Sequence, residues 1–137
     1  MNEYLKEISK YWIEKSYRTL EVAKYDFEGN YLEAVLDRLY YAAFYIVLAF
    51  ITLEGERFKK HSGVKSFFFK KVIKGRLIEE KFGKVYNKLY YMREEADYTP
   101  NPSFSKEEVK ELLVETEAFI RKMESLIKTK LKNKENF

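Results

Sequence analysis

Residues Leu39 to Ile51, LYYAAFYIVLAFI, run for thirteen positions without a charge. Coiled into a helix, such a run is apolar on every side, and a helix of that kind must be buried on every side. It falls short of the roughly 20 residues that a membrane span needs. It therefore reads as a core helix, with no membrane association expected. The run sits inside a helix expected from about Tyr31 to Leu53. In a small bundle three neighbours can hardly surround it. Burial against a second copy of the chain is the economical solution, so a homodimer through this second helix is the expectation. The competing reading turns Tyr40, Tyr41 and Tyr45 towards water on one side, with their hydroxyls wet.

The remaining segments also carry helical spacing. Two prolines and five glycines leave little room for a sheet with many turns. In the first segment Leu5, Ile8, Trp12, Leu20, Ala23 and Phe27 recur at three- and four-residue steps, with a gap near Lys15 and Ser16. Gly29 is placed to end this helix in the left-handed conformation. Asn30 is placed to cap the next, with Glu33 at the capping-box position. After the loop EGERFKKHSG, Ser62 or His61 opens a short third helix that Gly75 ends. A fourth runs from about Ile78 to Asp97, with Val85, Leu89 and Met92 inward, and Pro100 and Pro102 stop it. Ser105 caps the fifth, Glu108 completing the box, and Val109, Leu112, Thr116, Phe119, Ile120 and Met123 mark its stripe. Short connections make neighbours antiparallel. The expected fold is all-α: a single domain over residues 1–137, an up-and-down bundle of four main helices plus one short one.

Composition narrows the chemistry. The chain has no cysteine, which removes disulfides, thiolate metal sites and cysteine catalysis. That suits a reducing compartment, and the opening MNEYLKEISK, with charges in every turn, does not read as a signal peptide. A cytoplasmic location is expected. The net charge of +4 permits an acidic partner, RNA included, but the basic residues are spread along the chain. The run KTKLKNK near the end reads as a solvated helix terminus. No Gly-x-x-x-x-Gly-Lys loop is present. One histidine and no cysteine leave a poor donor set for zinc, and a single histidine cannot supply the Glu-x-x-His that a di-iron bundle needs on two helices. No metal and no cofactor are expected. The paired glutamates at 79–80, 94–95 and 107–108 point about 100° apart on a helix and read as surface charge.

One stretch stands apart. YYMREEADYTPNP, Tyr90 to Pro102, packs an arginine, three acids and three tyrosines into nine positions before a proline. With the third and fourth helices antiparallel, the start of one lies beside the end of the other. His61 is then drawn towards Arg93, Asp97 and Tyr98. Arg93 and Asp97 are four apart and can pair. The structural reading is an ion pair at a helix end, with Tyr98 packing its ring and His61 aiding the cap. The functional reading is a cluster that holds a phosphate or a nucleotide. Arg93 supplies a fork of donors, Tyr98 a hydroxyl or stacking ring, and His61 a proton-transfer group near neutral pH.

DRLYYAAFY on the second helix, HSGVKSFF after the loop and REEADY closing the fourth, in that order and spacing, resemble a prokaryotic branch of the HEPN domains. The name stands for higher eukaryotes and prokaryotes nucleotide-binding, and the resemblance spans about Tyr31 to Tyr98. It implies an all-α bundle, usually dimeric, often encoded beside a minimal nucleotidyltransferase as half of a toxin–antitoxin pair. Many such proteins are metal-independent ribonucleases marked by an arginine, four to six residues and a histidine. Here Arg93 matches the arginine, but Tyr98 stands at the histidine position after four intervening residues. His61 follows Arg57 by three intervening residues and lies elsewhere. In some pairs the nucleotidyltransferase attaches adenylate to a tyrosine two residues past the histidine, where this chain has Pro100; Tyr98 is the nearby candidate. Three functions are thus expected as alternatives. The first is a binding module and nucleotidyltransferase partner that takes a nucleotide or RNA at His61, Arg93, Asp97 and Tyr98. The second is an active ribonuclease using Arg93 with His61. The third is a structural helical dimer.

Overall fold

The computed structural model describes residues 2–100 and 103–135. They form α1 (Glu3–Glu28), α2 (Leu32–Leu53), α3 (His61–Phe68), α4 (Glu80–Tyr98) and α5 (Lys106–Glu135), and no strand is present among them. A π-helical turn, Phe69–Ile73, extends α3. The all-α bundle is therefore as the helical spacing indicates.

Side-chain pairings fix the topology. Ser9 Oγ donates to the Ala49 carbonyl at 2.9 Å and Ser16 Oγ to that of Ala42 at 2.6 Å, so α1 and α2 are antiparallel. The same register brings Ala23 opposite Val35, both fully buried. Small residues every seven positions let the two backbones approach closely, and the heptad spacing matches left-handed helix packing. The gap at Ser16 in the apolar pattern is thus part of the seam. Lys24 pairs with Glu117 at 2.9 Å and Tyr17 donates to Glu124 at 2.7 Å, which runs α5 antiparallel to α1. Glu79 meets Lys122 at 3.1 Å and the Phe82 and Phe119 rings lie 6.4 Å apart, which together run α4 antiparallel to α5. The four main helices go up, down, up and down.

The helix ends differ from the expected ones. Gly29 keeps a right-handed φ of −80°, and Asn30 takes the left-handed position at φ 65°. Tyr31 N–H reaches the Asp26 carbonyl at 3.0 Å and Asn30 N–H that of Phe27 at 3.0 Å, closing the double bond of a Schellman stop. Asn30 is thereby used up at the end of α1. Tyr31 is the residue before α2, and no side chain caps it. The end of the π turn repeats the scheme with Arg76 at φ 56°, not Gly75. Gly75 is needed for another reason: a Cβ there would collide with the Lys71 carbonyl oxygen. Of the two expected openers of α3, His61 is its first residue; Lys60 precedes it, and no side chain caps the start. Thr99, extended as a residue before proline must be, ends α4 ahead of Pro100. Pro102 lies outside the described residues. Ser105 caps α5 as expected: its Oγ accepts from the Glu108 backbone N–H at 3.1 Å and donates to the Glu108 carboxylate at 3.1 Å. The glutamate is thus held by the hydroxyl rather than by the Ser105 backbone N–H of a full box.

One premise fails. From Leu39 to Ile51 only Tyr41, Tyr45 and Leu48 keep even partial exposure; the rest is buried within one chain. The helix has four neighbours, not three, because α3 folds back onto it beside α1, α4 and α5. A second copy is not needed to cover the thirteen-residue run. With its flanks α2 is also long and apolar enough to cross a membrane, by length and composition alone. Its burial among the other helices is that of a core helix.

Candidate functional site

The start of α3 meets the end of α4. Lys65 Nζ donates to Tyr91 Oη at 3.0 Å, and the Phe68 and Tyr86 rings pack 4.9 Å apart. One turn further the Phe69 ring closes over Gly83, where a Cβ would stand only 3.0 Å from it. These contacts run α3 antiparallel to α4 and deliver His61 to the last turns of α4.

Tyr40 of α2, fully buried, joins the two polar groups. Its hydroxyl lies 2.9 Å from His61 Nδ1. The Arg93 guanidinium sits over its ring face, 4.7 Å from the centroid, in cation–π contact. Tyr41 holds the other side of the cation: Arg93 Nη1 donates to its hydroxyl at 3.4 Å. Phe44 covers the imidazole with centroids 4.5 Å apart. Arg93 also faces Asp97 at 3.9 Å, an ion pair too long for a hydrogen bond. Arg93 Nε is buried and has no hydrogen-bond partner. A guanidinium carries five donors; the terminal nitrogens of this one make one described hydrogen bond, that of Nη1 to Tyr41.

Burial, and then the charge of Arg93, hold the His61 pKa below the ordinary imidazole value of 6.5. Burial pushes the Tyr40 phenol well above its usual range, with Arg93 drawing it part of the way back. Both groups are neutral near pH 7. The bond between them then has two forms. Either Tyr40 donates to a bare Nδ1, or Nδ1–H donates to the Tyr40 oxygen and leaves Nε2 free as a base. The Tyr86 hydroxyl lies beside that of Tyr40 without a hydrogen bond of good geometry, and burial raises its pKa too.

Of the residues singled out in the sequence, His61, Arg93 and Asp97 come together. Tyr98 does not: it is 78% exposed and no described contact ties it to the cluster. Asp37 was not singled out, and Tyr40 and Tyr41 were named only as rings of α2 facing water in the competing reading. Of those rings, Tyr41 and Tyr45 keep partial exposure while Tyr40 is fully buried. Burial and the nearby Asp97 raise the Asp37 pKa, while Arg93 and Arg38 oppose that rise. The available signal was the i, i+3, i+4, i+7 spacing of Asp37, Tyr40, Tyr41 and Phe44, which puts one acid on the face of two tyrosines. No group of three or more metal-ligating side chains gathers among the described residues.

The cluster reaches the surface through the partly exposed His61 and Arg93, with Tyr40 buried behind them. An apolar groove of about 490 Å³ lies between the start of α1 and the end of α2, with Tyr4, Ile8, Trp12, Leu48 and Phe58 among its walls. A more polar one of about 420 Å³ lies between α3 and α4, next to the cluster. Arg93 and His61 line neither.

Residues 9–126 match the HEPN domain. A Thermotoga maritima protein named "UPF0332 protein" is 35% identical over 93% of this chain and 96% of its own length. Two Methanocaldococcus jannaschii proteins, named "Putative toxin MJ0142" and "Putative toxin MJ0605", are 31% and 30% identical over 93% of this chain. They are covered over 86% and 95% of their lengths.

Proposed function

The chain belongs to the HEPN domain family, and from that premise we propose that it has a toxin–antitoxin-type role in which the Arg93–His61 cluster takes a phosphate of RNA or of a nucleotide. The observation that carries this reading is the state of Arg93. Its guanidinium is clamped by the Tyr40 ring and the Tyr41 hydroxyl, and its terminal nitrogens make one described hydrogen bond, that of Nη1 to Tyr41. A planar fork of that kind pairs with phosphate oxygens through charge-assisted bonds. The toxin names of two relatives support the role.

A second reading is cleavage without metal. A neutral His61 with Nδ1–H on Tyr40 presents Nε2 as a base for an RNA 2′-hydroxyl, and Arg93 then steadies the charge that gathers on the phosphate. The histidine comes from the start of α3, not from the end of α4 where the ribonuclease motif would place it.

Assembly belongs to the same reading. The chain pairs with a second copy through the outward stripe of α2, Tyr41, Tyr45 and Leu48, with Trp12 stacked on Tyr45 at 5.5 Å. The apolar groove beside it extends that surface. A minimal nucleotidyltransferase is the expected partner, and Tyr98, being exposed, is accessible to adenylate transfer.

The test uses a labelled pool of single-stranded RNA in chelator. Binding by the unmodified protein that is lost in Arg93→Ala supports the phosphate site; binding retained in that variant overturns it. Cleavage that stops in His61→Ala supports the second reading. A loss of stability in Arg93→Ala with no RNA binding by either protein leaves the cluster as a structural ion pair.

A further inference from the structure

We propose that the groove between α3 and α4 is a second nucleotide subsite, next to Arg93, which takes one base of a single-stranded RNA on Tyr91 and its phosphate on Lys65. The inference rests on the phosphate reading of Arg93 and extends it by one step along the strand.

The groove has a volume of about 420 Å³ and is lined by Ser62, Lys65, Ser66, Asn87, Tyr90 and Tyr91, with Phe69 at its base. None of these residues is acidic. Lys65 Nζ lies 4.5 Å from the centroids of both the Tyr90 and Tyr91 rings and 3.0 Å from Tyr91 Oη. The ammonium is thus held at one spot at the groove edge, and no carboxylate pairs with it among the described contacts. Tyr91 is 56% exposed, so its ring is open to a stacking partner. Asn87 Oδ1 is buried without a hydrogen-bond partner. The Asn87 amide group lines the groove with the Ser62 and Ser66 hydroxyls and the Lys65 ammonium, a set that can read a base edge and a ribose. Outside the groove, Lys84 and Lys88 stand exposed on α4 at spacings of seven and three residues before Tyr91.

The link to the cluster is direct. Tyr90 touches Tyr40 with centroids 6.0 Å apart, and Arg93 lies over the same Tyr40 ring. Two cations, each held on a pair of tyrosines, therefore flank the Tyr40–Tyr90 contact. A cation alternating with an open aromatic face is the arrangement that binds single strands without reading a fixed sequence. A duplex, whose bases are already stacked, cannot use the Tyr91 ring.

The experiment is fluorescence anisotropy of the full chain with a fluorescein-labelled single-stranded 12-nucleotide RNA, over a range of salt, in chelator. Tyr91→Ala and Lys65→Ala are each expected to weaken binding about tenfold, since one stacked base or one phosphate contact is lost. Lys65→Ala is also expected to lower the slope of log affinity against log salt by about 0.7, the share of one single-strand phosphate. Tyr91→Phe and Lys65→Arg should restore most of the affinity, and circular dichroism should show all four variants folded. If Arg93→Ala abolishes binding while Lys65→Ala and Tyr91→Ala bind as the unmodified protein does, the subsite is wrong and the Arg93 reading stands. If the matching duplex binds as tightly as the single strand, base stacking on Tyr91 is wrong. If no RNA binds the unmodified protein, both readings fail.

Discussion

Tyr40 Oη stands 2.9 Å from His61 Nδ1, and this bond between α2 and α3 fixes the chain's one histidine beside Arg93. Tyr40 is fully buried, so the imidazole is oriented from within the core rather than by solvent. Removing the hydroxyl with Tyr40→Phe keeps the ring under Arg93 but leaves Nδ1 without this partner. The expected cost is about 1 kcal/mol of stability, read from urea unfolding. RNA binding should be little changed if Arg93 carries it, whereas any cleavage should fall sharply.

A single histidine gives a single imidazole signal in a proton–carbon spectrum. Its titration in the free protein should lie below 6.5, because burial and Arg93 both disfavour the charged ring. Arg93→Ala removes one of those causes, and the titration should move up towards 6.5. A midpoint that does not move would separate the two side chains.

The same depressed value makes a statement about stability. Between the folded and unfolded pKa values the unfolded chain binds the extra proton, so stability falls as pH drops through about 6.5 and is fully present above it. The melting temperature should be lower at about pH 5.5 than at about 7.5, and His61→Gln should shrink that difference. Carboxylates held low by partners, Glu79 and Glu117, add their own losses only at more acid pH.

The seam between α1 and α2 should not tolerate bulk. Ser16 is buried with its hydroxyl on the Ala42 carbonyl. Ser16→Ala should cost about 1 kcal/mol, the net worth of one such bond. Ser16→Leu should cost more, about 1–3 kcal/mol or beyond, because the backbones must separate. Thermal unfolding of the two variants checks the order.

The fold was legible because apolar spacing is a local property: each amphipathic face announces its helix, and the Ser105–Glu108 pair announced a start. The stops were legible only to within a residue. Gly29 and Gly75 marked the right places, yet Asn30 and Arg76 took the left-handed positions, since a Schellman stop fixes the conformation one residue beyond the cap. The covering of α2 was misjudged for a different reason. How closely α3 folds back depends on pairings such as Phe68 with Tyr86, which are distant in sequence. Of the cluster, antiparallel order alone brought His61 towards Arg93. Tyr40 reads only as a candidate water-facing ring, not as a member of the cluster, because in an apolar run nothing local marks a bridging tyrosine.

The central claim is that His61 and Arg93 act on one RNA phosphate, and the most direct test is the His61 imidazole signal during titration with single-stranded RNA in chelator. The account predicts that the signal shifts on binding and that the imidazole pKa rises as the phosphate charge comes near. In Arg93→Ala neither change should occur at the same RNA concentration. RNA that binds the protein while the His61 signal and its titration stay where they were would contradict the claim.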